Sequence, residues 1–363
     1  MKKASIGTSS GCGEKIYESL KSPRQSDRAV AVNSEACRRI ASFIQNHTIP
    51  DEEEDTPPSD FTSEQVGNFY LFTVAICHQT SPSGQPPLEG VAGGEHKRGW
   101  DYLSAKLEAA FRFDAQLFTP DRWSDITAAD LRTLMTDQTF GDRLTDPAGR
   151  AMLLRDLGHV MLHNGWRYAE DLYIQSAGNI ANGEPNLLGL LHSFAAYQDP
   201  VKKKSYFFLM LMRNFALWRY VDDENIGPPV DYHETRGHLR LGTVVVNSPK
   251  LREKLINRIP VTQTEDVALR RAVHGAILMI RDLAPTTTIS QLHYLFWNVF
   301  RSCCSRQTPH CAGCPESCEL PQRYVHLSLG SDGKRRCPFS FMCGGVCDTH
   351  ALLQEHVFNT DYY

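Results

Sequence analysis

The segment "KKKSYFFLMLMRNFALWRYVDDEN" (residues 202–225) decides how the chain folds. Between Tyr206 and Met212 it is apolar nearly all round, and a helix without a polar face is buried on most sides. It therefore predicts a central helix, whose apolar surface is core. Neighbouring segments follow the same logic. "NSEACRRIASFIQNH" (33–47) opens on the good caps Asn33 and Ser34 and repeats Cys37, Ile40, Ala41 and Ile44 at helical spacing. In "FTSEQVGNFYLFTVAICHQTSP" (61–82), Thr62 can cap a helix carrying Val66, Phe69, Tyr70 and Val74, with Pro82 ending the segment. "PAGRAMLLRDLGHVMLHNGW" (147–166) and "TEDVALRRAVHGAILMIRDLA" (264–284) show the same periodicity. Alternating patterns are scarce, "TVVVN" (243–247) being the nearest to a strand, so the expected fold is mainly α-helical, without internal repeats.

An acidic, proline-bearing run, "TIPDEEEDTPPSD" (48–60), cannot pack and reads as a linker. The expected organisation is an N-terminal helix and linker at 1–58, a helical core at 59–300 and a cysteine-rich tail at 301–363.

The 363 residues are 41% hydrophobic and 22% charged, with a net charge of −4. Such a chain is ordinary for a globular protein and carries no global footprint for nucleic acid. Any such binding must rest on local patches, of which Lys202-Lys203-Lys204 and Lys334-Arg335-Arg336 are the candidates, each equally readable as a solvated surface. No apolar run reaches the ~18 residues of a spanning helix, and "MKKASIGTSSGCGEKIYESL" (1–20) has no apolar centre. A cytoplasmic monomer is expected. Of eleven cysteines, Cys12, Cys37 and Cys77 are scattered and eight lie between Cys303 and Cys347. In a reducing compartment, such clustering argues for metal over disulfides.

Cys304, Cys311, Cys314 and Cys318 follow C-x6-C-x2-C-x3-C, a spacing that lets one small loop wrap a single ion or cluster. Zinc and a 4Fe-4S cluster both remain open. Cys337, Cys343 and Cys347 can form a second site with His350 or Cys303, supply a ligand to the first, or stand as free structural cysteines.

"PPVDYHETRGHLRLG" (228–242) places two prolines ahead of a polar helix. They hold the chain out of helical geometry until about Val230, which puts Asp231 at the N-cap and Glu234 at the capping-box position. A cap and a catalytic carboxylate demand the same placement, because the helix N-terminus stabilises negative charge.

The stretch "VDYHETRGHLRLG" resembles the catalytic segment of the helix-hairpin-helix DNA glycosylases. "LHYLFWNVFRSCCSRQTPHCAGC" (292–314) is similar to the iron–sulfur loop region of their endonuclease III and adenine glycosylase branch, and "AICHQTSP" (75–82) to their glutamine-bearing turn. The chain also resembles the queuosine salvage proteins, helical glycohydrolases, through "VAVNSEACRRIASFI", "RGWDYLSAKLEAAF", "SFAAYQDPVKKKSYFFLMLMRNFALW", the Asp231 segment and the terminal "DYY". Three departures stand out, the first being that the queuosine salvage family lacks such a cysteine tail. "YQDPVKKKSYFF" (197–208) has no glycine where the DNA-binding hairpin carries several, and the last cysteine spacing is x3 instead of x5.

The resemblance implies N-glycosidic bond cleavage by Asp231 and water, with Lys204 an alternative nucleophile. It implies DNA bearing a bulky modified base as substrate, modified viral DNA being one source, or queuosine 5′-monophosphate. Gln79 would contact an extruded base or fill its gap, unless it is a plain helix-end residue. His78, Trp100, Trp218 and Tyr232 are pocket candidates, with core packing the ordinary explanation for each. Lys202, Lys203, Lys334, Arg335 and Arg336 would meet DNA phosphates. A metal-stabilised nucleic-acid-binding protein without catalysis is the remaining alternative.

Overall fold

The computed structural model describes residues 29–51, 56–82, 84–306, 309–311, 313–315, 318–330, 332–343 and 353–363. Cys12, Cys347, His350 and the acidic run 52–55 lie outside them. The protein is mainly helical, with fourteen α-helices among the described residues. In chain order these residues form β1 (Val30–Val32), α1 (Ser34–Gln45), α2 (Ser63–Ala75), β2 (Glu89–Ala92), β3 (Glu95–Arg98) and α3 (Trp100–Phe113). Then come α4 (Pro120–Ser124), α5 (Ala128–Met135), α6 (Pro147–His163), α7 (Ala169–Gln175), α8 (Leu187–His192) and α9 (Lys203–Asn214). The remainder is α10 (Tyr232–Leu241), β4 (Val244–Val246), α11 (Pro249–Asn257), α12 (Gln263–Leu283), α13 (Ile289–Ser302) and α14 (Val325–Ser328). None of the described helices is long and apolar enough to cross a membrane.

Helix α9 is buried on every side from Lys203 to Met212. Phe208, Leu209, Met210, Leu211 and Met212 have no exposed surface, and each such side chain stabilises the fold by roughly 1.5–3 kcal/mol. Side-chain caps start the surrounding helices. Asn33 accepts from the Glu35 and Ala36 N–H groups at α1, and Thr62, Thr262 and Thr288 each close a capping box. Residues 29–51 share the core: β1 pairs antiparallel with β4, Val30 opposite Val246, and α1 packs on α12.

A second antiparallel pair, β2 and β3, had no alternating apolar signal. Its turn is Gly93-Gly94, both at positive φ (64° and 82°), a conformation that suits a two-residue hairpin. This hairpin stands beside α3. Helices α10 and α13 meet at Gly237, where an added Cβ would lie 2.1 Å from the Phe300 ring. Only glycine allows that approach, and it sets the N-terminus of α10 beside the polar face of α13.

Candidate active site

A cleft of about 1300 Å3 opens where the β2–β3 hairpin, the N-termini of α3, α9 and α10, the face of α13 and the cysteine-rich tail converge. Asp231 caps α10 as expected: its Oδ1 accepts from the Glu234 N–H at 3.0 Å, and Glu234 Oε2 accepts from the Asp231 N–H at 3.4 Å. Asp231 is 8% exposed and lines the cleft, with no cation paired to it among the described residues.

Behind this cap, Glu234 is fully buried, and burial raises its carboxyl above the usual range, opposed by His293. Glu234 Oε1 lies 2.9 Å from His293 Nδ1. A carboxylate in that position fixes the hydrogen on Nδ1 and leaves Nε2 for the cleft that His293 lines. Next along α10, His233 Nδ1 accepts from Arg236 at 2.9 Å, and burial holds this imidazole neutral, well below its usual pKa. Arg236 is itself buried, donating to the Cys304 and Phe300 carbonyls and to Glu355. Glu355 also pairs with Arg306, and the two guanidiniums offset its desolvation and bring its carboxyl down to about 2. Arg306 stands over the Tyr232 ring at 5.2 Å.

The walls are aromatic and cationic. Trp100 packs edge-on against Phe207 at 4.8 Å, and Arg301 lies 4.7 Å over Trp297. Lys203 sends its Nζ to Cys77 Sγ at 3.1 Å and lines the same cleft. Flat rings and cations of this kind suit a planar base carrying an anionic group.

Asp231, Tyr232, Trp100 and Lys203 are thus brought together, while the other expected residues stand elsewhere. Lys204 is fully buried, its Nζ 2.5 Å from the Ala75 carbonyl and 3.3 Å from His78 Nδ1, and desolvation lowers its pKa to about 7. It faces the protein interior because every position of α9 through Met212 is enclosed. His78 is buried beside it, with Nε2 3.6 Å from Asp361. Gln79, at φ 50°, donates its side-chain amide toward the Phe358 and Thr360 carbonyls. Trp218 is core, stacked on Tyr173 at 5.1 Å and edge-on to Phe208. Lys202 caps α9 in the left-handed region, outside the cleft lining. Lys334 and Arg335 are exposed on the tail, and Arg336 pairs with Asp332.

One contribution escaped the sequence reading. The Glu234–His293 contact spans 59 residues and needs the fold. The signal for its partner was present, because His293, Trp297 and Arg301 recur every fourth residue of α13 as a polar and aromatic stripe.

In the tail, the sulfurs of Cys303, Cys314 and Cys318 lie within 4.8 Å of one another, close enough to hold a metal ion. This cluster differs from the set expected from spacing. Cys303 stands where Cys304 was expected, and Cys311 lies outside the cluster. Cys303 and Cys304 end α13, where successive residues point about 100° apart. Cys304 Sγ faces the Arg240 guanidinium at 3.2 Å, and Cys343 Sγ the Arg240 carbonyl at 3.2 Å. Cys337 hydrogen-bonds Cys303.

No protein-family model and no curated protein matches the chain.

Proposed function

We propose that the protein hydrolyses the N-glycosidic bond of a nucleotide bearing a bulky modified base, on a helical scaffold of the helix-hairpin-helix glycosylase type. The observation that carries this reading is an unpaired carboxylate, Asp231, at a helix N-terminus in a cleft with aromatic walls, beside the Glu234–His293 pair. Breaking the bond between C1′ and the base nitrogen leaves positive charge on the sugar, which a fixed anion stabilises. Asp231 supplies that anion and accepts a proton from the water whose oxygen bonds to C1′. His293 Nε2 takes up a proton from solvent and passes it to the departing base nitrogen, which carries away the electron pair of the broken bond. The two protonation states are then restored through solvent.

Two features favour a single nucleotide over duplex DNA. At the turn before α9, the N–H groups of Val201 and Lys203 already bind the Asp199 carboxylate, at 3.0 and 2.9 Å, and are not free to grip a phosphate. Lys334, Arg335 and Arg336 also stand outside the cleft lining. Queuosine 5′-monophosphate is the named candidate, on the sequence resemblance. One feature favours DNA as a second reading: the cleft exceeds the ~300–1,000 Å3 of most small-molecule sites.

The test is base release followed by mass spectrometry, from queuosine 5′-monophosphate, other modified mononucleotides and DNA rich in modified bases, with wild type and Asp231→Asn in parallel. Release from a mononucleotide that the variant abolishes is expected. Release from DNA alone, with duplex binding that weakens steeply with salt, would move the assignment to a DNA glycosylase. A wild type silent on every substrate would overturn catalysis in favour of a binding protein.

A further inference from the structure

We propose that the tail binds one tetrahedral metal ion, zinc by its donor chemistry, through Cys303, Cys314 and Cys318, in place of the 4Fe-4S cluster that the C-x6-C-x2-C-x3-C spacing suggests. Three sulfurs on one ion at metal–sulfur bonds of ~2.3 Å stand about 3.8 Å apart in tetrahedral geometry and never beyond about 4.6 Å. A cubane seats each thiolate on a different iron and holds them wider. The mutual 4.8 Å limit of Cys303, Cys314 and Cys318 suits the single ion.

Cys337 stands beside this triad, outside its mutual 4.8 Å set. It is buried, it hydrogen-bonds Cys303, and the Cys314 N–H donates to the Arg335 carbonyl at 3.0 Å, joining the two chain segments that carry these cysteines. Three thiolates favour zinc and leave its fourth position to another donor. The rejected set fails on orientation. Cys304 Sγ is turned to a buried guanidinium, and its neighbour at the end of α13 takes the ligand place.

The site holds up a wall of the cleft. Glu319, directly after Cys318, pairs with Arg98 of β3, and Ser305, Arg306 and His310 line the cleft between Cys303 and Cys314. Among the described residues, 303 to 343 carry only one short helix and one 3-10 turn, so an ion would tie together loops that otherwise rest on the buried Leu320, Tyr324 and Phe339.

The experiment is element analysis of the full chain, produced with zinc and iron both supplied and purified without oxygen, for wild type and four serine variants. One zinc per chain, no iron or labile sulfide and no visible absorption are expected. Cobalt grown into the protein should give the visible bands of a tetrahedral thiolate site. Cys303→Ser and Cys314→Ser should lose stoichiometric metal, whereas Cys304→Ser and Cys311→Ser should retain it. Because loss of a ligand can unfold the tail, retention in the second pair is an independent arm. Four irons per chain, two zinc ions per chain, absence of metal from wild type, or metal lost from Cys304→Ser would each overturn the assignment.

Discussion

Asp199 and Asp231 each accept N–H groups at the start of a helix, and in every other respect they are opposites. Asp199 is 1% exposed and all its capacity is used: it takes the Val201 and Lys203 N–H groups and both Nη of Arg270, at 2.8 and 2.9 Å. Arg270 is shared with Asp266, which also meets His356 and the Tyr363 hydroxyl. Asp231 accepts one N–H, pairs with no cation among the described residues and opens on the cleft. A saturated carboxylate stabilises a fold, whereas an unsaturated one beside a cavity can still act on something that enters. The contrast assigns one to structure and the other to chemistry.

The largest expected effect is at Asp231. Asn caps a helix as well as Asp, so Asp231→Asn keeps the structure and removes only the charge. Turnover should fall by about 10²–10⁴-fold, with the melting temperature within about 2 °C of wild type. Single-turnover kinetics and thermal melts check both halves, and a large melting shift with turnover retained would reverse the roles of the two aspartates. Arg270→Met should do the opposite. It leaves Asp199 and Asp266 buried without their cation, at a cost of about 3–5 kcal/mol in urea unfolding, while turnover per folded molecule changes less than tenfold.

Buried groups with no partner sharpen the contrast further. Among the described residues, His238 has an unpartnered Nε2 and His274 two unpartnered ring nitrogens, and burial holds the pKa of each down to about 3. The unfolded chain protonates these rings near pH 6.5 and the folded one does not, so their effect is nil at neutral pH and destabilising as pH falls from 6.5 toward 3. At pH 5 each should cost about 2 kcal/mol. Urea midpoints between pH 7 and 5 check this, and His274→Leu should flatten the slope. An unchanged slope would show that the ring is not held neutral by burial.

Much of this arrangement is legible in the chain itself. The all-round apolar run at 206–212 announces the buried helix, and the two prolines with Asp231 and Glu234 announce the cap, because both are local properties of sequence. The hairpin at 89–98 is hidden because its residues are mostly polar, so only Gly93-Gly94 marks it. Cysteine spacing counts residues and not directions, so it cannot distinguish Cys303 from Cys304 at the end of α13. Lys204 reads as one of three basic residues, and only the enclosure of α9 shows that its ammonium faces Ala75 and His78.

The smallest effect belongs to the tail's basic loop, and it tests whether charge near the site is the same as charge in it. Lys203 lines the cleft against Cys77, while Lys334 and Arg335 are exposed and line no part of it. Exposed side chains of this kind change stability by no more than about 0.5 kcal/mol. The double variant Lys334→Ala, Arg335→Ala should therefore match wild type within twofold on a mononucleotide, with an unchanged melting temperature. Turnover on DNA is the sharper readout: if the pair touches phosphates, the variant's affinity falls and its salt dependence flattens by about two charges. That result would put the loop within reach of a long polyanion and make the cleft the end of a larger binding surface, whereas equal salt dependence would confine recognition to the nucleotide.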